Sequence, residues 1–153
     1  ANDLGNLANR TLSMIHKYRG ATVPAGAETA LDRRAVAALD TYRGAMDGYL
    51  LHKGAAAAMA LASAANGFIE EQAPWKQAKD ESQAAALDAT LASLARTLGR
   101  LAILLAPFMP GKMSELWEAL GGADLAGHSG YASLDLAGRS VDRQAVLFPK
   151  PDK

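Results

Sequence analysis

Leu87, Leu91, Leu94, Leu98, Leu101, Ala102 and Leu105 recur at intervals of three and four residues, the strongest periodicity in the chain. Such spacing lines up on one face of an α-helix at about 100° per residue and cannot be satisfied by a strand, whose side chains alternate. A helix with so long an apolar stripe must be covered by other apolar surfaces, and Pro107 and Pro110 end it before it could run on. The remaining chain offers helices to cover it. Ala, Leu, Glu, Lys, Gln, Arg and Met dominate, while aromatic residues make up only 6%, which favours helix over sheet. A length of 153 residues fits one domain, burying roughly two-thirds of its unfolded surface.

In the first segment Leu4, Leu7, Ala8, Met14, Ile15 and Tyr18 form an apolar face, and Asn6, Arg10, Ser13 and Lys17 form a separate stripe about 130° away. Gly20 and Pro24 close this helix. Glu28 opens a second, predicted to carry Leu31, Ala35, Ala38, Tyr42, Met46 and Tyr49 inward. After Gly54 an alanine-rich helix passes through Ala58, Ala62, Ala65, Phe68 and Ile69, small enough for a neighbour to approach closely, until Pro74 stops or kinks it. The leucine-striped helix follows, and then a short fifth helix with Met113, Leu116, Trp117 and Leu120 on one face, terminated by Gly121 and Gly122. The expected architecture is all-α, an antiparallel helical bundle of about five helices spanning residues 1–122, with an irregular C-terminal tail over 123–153 packing on the same domain through Val146, Leu147 and Phe148.

Charge and motif content exclude most chemistry. Sixteen basic residues balance sixteen acidic ones, so there is no general attraction to nucleic acid or to an anionic membrane, and any RNA contact must be local. No cysteine is present, which removes thiolate metal sites and cysteine nucleophiles and is compatible with a reducing cytoplasm. Residues 101–110 are apolar but too short to span a bilayer, which takes about 20 helical residues, and the N-terminus has no signal-peptide pattern. The absent initiator methionine suggests a piece of a longer polypeptide. His16, His52 and His128 lie far apart without metal-ligand spacing. The segment GHSGY, residues 127–131, lacks the last glycine of a nucleophile elbow and follows no strand. Glu70-Glu71 and Asp80-Glu81 diverge around a helix and read as solvated surface. No catalytic residue and no metal site is expected.

Two local features remain. Trp75 follows a helix-breaking proline, outside any apolar periodicity and close to Lys76 and Lys79; it is either a plug at the end of the bundle or a flat platform on which an unpaired base stacks. Asn6 and Arg10 lie one turn apart on a polar face and supply an amide and a forked donor, the groups that read base edges and phosphates, or are simply solvated. Arg96 and Arg100, also one turn apart, are expected to be solvated.

NDLGNLANRTLSMIHKYRG, FIEEQAPWKQAKDE and LGRLAILLAPFMPGKMSELWEALG, with the closing LFPK, together resemble the C-terminal anticodon-binding domain of methionyl-tRNA synthetases. The combination N-L-x-x-R with a later A-P-W-K-x-A-K carries the likeness. KMSEL, residues 112–116, shares letters with the KMSKS loop of class I synthetases, but Met113 belongs to an apolar stripe and no second lysine follows. The resemblance implies a helical bundle reading the CAU anticodon loop of methionine tRNA, with Asn6 and Arg10 contacting bases and Trp75, fixed by Pro74, stacking on one. It implies no cofactor in this chain, ATP and methionine being bound by a catalytic domain that the chain lacks and would partner, no membrane, and a cytoplasmic setting. The alternative is a non-catalytic scaffold or protein-interaction bundle without RNA binding.

Overall fold

The computed structural model describes residues 2–122 and 130–142. Five helices of ten or more residues account for most of it: α1 (Asn2–Arg19), α2 (Ala30–Asp47), α3 (Leu51–Gln72), α5 (Ala84–Leu105) and α6 (Pro110–Ala119), with a four-residue α4 (Pro74–Gln77) and a 3-10 turn (Glu81–Gln83) between α3 and α5. The all-α bundle predicted from periodicity is the fold observed. The tail anchors Val146, Leu147 and Phe148 lie outside the described residues.

The leucine-striped helix α5 is the axis of the molecule. It packs against α1, α2, α3, α4 and α6, and from Thr90 to Leu105 all residues except Arg96 are buried. A helix enclosed on all sides must satisfy its polar groups internally. The Thr90 hydroxyl therefore donates to the Ala86 carbonyl at 2.9 Å and that of Thr97 to the Ser93 carbonyl at 2.8 Å.

Helix α2 begins at a Thr29 capping box: the Thr29 side chain accepts from the Leu31 amide at 3.2 Å, and the Asp32 carboxylate accepts from the Thr29 amide at 2.9 Å. Leu31, Ala35 and Tyr42 are buried as the spacing predicts, together with Leu39. Tyr49 is not. It lies beyond the end of α2, at the turn into α3, in the left-handed region at φ 60° and 88% exposed, because the chain must reverse there and the helical register no longer holds. Ala58, Ala62 and Ala65 of α3 are fully buried, and Gly54 is buried too, where a Cβ would come within 2.7 Å of the Met46 sulfur. Small side chains here let α2 and α3 close on one another.

Arg96 and Arg100, expected to be solvated, instead fold inward. Asp32 is only 1% exposed and accepts from Arg96 Nε and Nη2 at 2.9 Å, from Arg100 Nη1 at 2.6 Å and from Ser93 Oγ at 2.9 Å. Arg100 also donates to the carbonyls of Tyr131 at 2.9 Å and Ala132 at 3.0 Å, while the Tyr131 hydroxyl donates to the Ala35 carbonyl at 2.6 Å. A guanidinium off the leucine stripe thus finds a buried carboxylate from another helix, a pairing that periodicity within α5 cannot reveal. Burial works against ionisation of Asp32, but the hydrogen bonds from Arg96, the Thr29 amide, Arg100 and Ser93 outweigh it and hold the carboxyl well below the usual range. Residues 138–142 continue this anchoring, pairing with residues 21–23 through Val23 N to Arg139 O at 2.9 Å and Val141 N to Ala21 O at 2.8 Å.

Candidate nucleic-acid interface

Residues 69–77 bring α3 to an abrupt end and restart the chain. Pro74 disfavours the right-handed helical region for the residue before it, and Ala73 takes the left-handed one at φ 46° and ψ 65°. Its amide still closes α3 on the Ile69 carbonyl at 2.9 Å, while its carbonyl accepts from Lys76 at 2.8 Å and Gln77 at 3.2 Å to open α4. Pro74 is the first residue of α4 and is buried, so it acts as a pivot, with Trp75 next in the new helix.

Trp75 is half-buried. Part of its ring packs against the hydrophobic core, and the rest lines an open cleft of about 410 Å³ shared with Asn9, Arg10, Ser13, Met14 and Tyr18 of α1. The volume lies within the range of about 300–1,000 Å³ typical of ligand sites. Arg10 reaches across α1 to Glu70 of α3, Nη2 to Oε1 at 2.6 Å, with side-chain exposures of 36% and 64%. Glu70 lies on the exposed surface, as expected, and there pairs with Arg10.

Asn6 is exposed one turn before Arg10 on the same stripe, outside the lining of the cleft, and Asn9 stands in the wall instead. Met14 and Tyr18, assigned by periodicity to the buried face, are half-buried and sit at the cleft. Their positions on a helical wheel, about 40° and 80° from Arg10 at 100° per residue, mark the border between the two stripes and were the available signal. The ammonium of Lys17 stands 5.5 Å from the centroid of the Tyr18 ring, within cation–π range. The cleft therefore combines two aromatic rings, a thioether, small polar groups and the Arg10 guanidinium, with Lys17 outside its lining but over the Tyr18 ring. Flat apolar faces beside forked and point donors can hold a planar, partly charged ligand by stacking and by charge-assisted hydrogen bonds.

Among the described residues no cluster of three or more histidine, cysteine, aspartate or glutamate side chains is placed to hold a metal ion, and no helix is long and apolar enough to cross a membrane.

Fold and cleft together define a helical-bundle domain with an aromatic and cationic recess on one side. A family model, the anticodon binding domain of methionyl tRNA ligase, matches residues 20–151, and the chain belongs to that family. It is 36% identical over 162 residues to the methionine–tRNA ligase of Deinococcus radiodurans, covering 99% of this chain and 23% of that protein. With the corresponding ligase of Enterococcus faecalis the identity is 39% over 127 residues, covering 79% of this chain and 19% of the relative. The chain thus spans about a quarter or less of the length of these relatives. Among solved structures, the free-state methionyl-tRNA synthetase of Mycobacterium tuberculosis superposes with a TM-score of 0.87 at 28% identity, covering 100% of this chain and 32% of that one. The same enzyme bound by methionyl-adenylate gives 0.86 at 28% identity, covering 97% of this chain and 31% of that one.

Proposed function

We propose that the chain recognises the CAU anticodon loop of methionine tRNA, one unpaired base stacking on Trp75 while Asn6 and Arg10 contact base edges or phosphate. The observation that carries this reading is that Trp75 and Arg10, 65 positions apart in sequence, line one open cleft. Single-stranded loops are recognised by splaying bases onto aromatic faces and bonding their edges. Family membership supports the same reading. Joining methionine to tRNA with ATP would be the work of the remainder of the ligase, to which this domain would be attached in the cytoplasm.

The test compares binding of a CAU stem-loop with one of altered anticodon. Tighter binding of CAU, weakened by about one to two powers of ten in Trp75→Ala, is expected from the stacking contribution. Equal affinity for both loops would sink the proposal. The alternative, a protein-interaction bundle, draws on Tyr49, 88% exposed, and Leu51, 54% exposed, at the turn between α2 and α3; it predicts no preference between the loops.

A further inference from the structure

The cleft is longer than one base. Arg10 and Tyr18 both line it, and eight residues of helix separate them by about 12 Å along the axis of α1. Stacked bases repeat about every 3.4 Å, so a stack running along α1 would fit more than one base in that span. Tyr18 stands at the far end with its ring half-buried: it packs against the core on one side and borders the open cleft on the other. The next residue back, Lys17, is exposed and holds its ammonium 5.5 Å from that ring. A ring for a base thus carries over it an exposed cation that a phosphate could draw away.

We infer that Tyr18 is a second stacking face of this cleft, receiving an unpaired nucleotide next to the one on Trp75, with Lys17 neutralising its phosphate. This rests on the anticodon-loop reading above. Stacking is indifferent to base identity, because every base presents a π-face. Tyr18 therefore contributes affinity and holds the loop in its splayed form, whereas discrimination falls to the polar groups near Arg10. Its hydroxyl has no part in this; the ring does the holding.

The test uses the full 153-residue chain and a labelled CAU stem-loop, together with a set in which each loop nucleotide in turn is abasic. Tyr18→Leu is expected to weaken binding by about 5- to 30-fold, within the range of one stacking contact, and Tyr18→Phe to leave it within about twofold by the same reasoning. At one abasic position the loss from Tyr18→Leu should vanish, and that position should adjoin, not coincide with, the one that cancels the effect of Trp75→Ala. Lys17→Gln should lower the salt slope by about 0.7, one single-strand phosphate contact. Thermal melts check folding, and Tyr18→Met, also without a ring, replaces Tyr18→Leu if the latter unfolds.

Unchanged binding by the ringless variant, equal losses from Phe and Leu, or cancellation of both aromatic variants at the same nucleotide would overturn the inference. If Trp75→Ala weakens binding and Tyr18→Leu does not, the second face fails and the broader reading stands. A parent chain without preference for the CAU loop overturns both.

Discussion

The guanidinium of Arg10 lies 2.6 Å from the carboxylate of Glu70, tying α1 to α3 beside the cleft that Trp75 borders. Both side chains remain substantially exposed, so the pair adds little to stability, roughly 0.2–1 kcal/mol for pairs of this kind. Its consequence is electrostatic. The carboxylate occupies Nη2, one of the donors that an RNA phosphate or base edge would use, and its charge opposes the approach of a polyanion.

Glu70→Gln should therefore tighten binding of the CAU stem-loop by about 2- to 5-fold, equivalent to at most about 1 kcal/mol, with the urea midpoint nearly unchanged. Titration at low ionic strength measures this. Weaker binding would show instead that Glu70 is needed to orient Arg10.

Pro74→Ala should move Trp75 without unfolding the bundle. With the proline ring gone, Ala73 is released from the restriction that excludes the right-handed region and α3 can run on into α4. Circular dichroism is expected to hold or rise slightly, while stem-loop affinity falls about as far as in Trp75→Ala, some 10-fold or more for a lost stack. Parent-like affinity would mean that the tryptophan is placed by its core contacts alone.

Asp32→Ala should be the most damaging of these substitutions. It leaves the Arg100 guanidinium, 3% exposed, without its carboxylate and strips the capping box of α2. Removing one partner of a buried pair costs about 3–5 kcal/mol, which lowers the melting midpoint by some 10 °C at the shifts usual for this chain length. A loss under about 1 kcal/mol, the level of an exposed pair, would contradict the arrangement described.

Acid should expose the same group. Because the folded-state pKa of Asp32 is depressed, its stabilisation is complete above the unfolded value near 3.9 and is lost as pH falls below about 4 toward the folded value. Urea midpoints from pH 7 to pH 3 should stay level, as far as Asp32 is concerned, until about pH 4 and then drop, more steeply in the parent than in Asp32→Asn. Parallel curves would assign the acid sensitivity to other carboxylates.

Binding should depend only weakly on salt. The chain carries no net charge, and the cleft and its rim offer Arg10 and Lys17 as phosphate partners. Two such contacts give a slope of about −1.4 against log salt for a single strand. Affinity measured from 50 to 300 mM salt tests this, and a slope several-fold steeper would require a basic surface elsewhere.

Much of this molecule is written in local pattern. Leucine spacing gives α5, the Met113, Leu116, Trp117 and Leu120 face gives α6, and Pro74 marks the break at which Trp75 leaves the core register; each depends only on neighbours within a few turns, because helical geometry repeats every 3.6 residues. Periodicity has no means of saying which distant groups meet. Arg100 reads as surface until Asp32, 68 residues earlier, arrives beside it in the interior. Tyr18 reads as core until the helix break at Ala73 brings Trp75 to the cleft that Tyr18 also lines. Sequence alone determined the five longer helices and the family; tertiary packing decided that the chain restarts as α4 after Pro74, which charges are buried and where the cleft lies, since these are set by contacts between residues far apart along the chain.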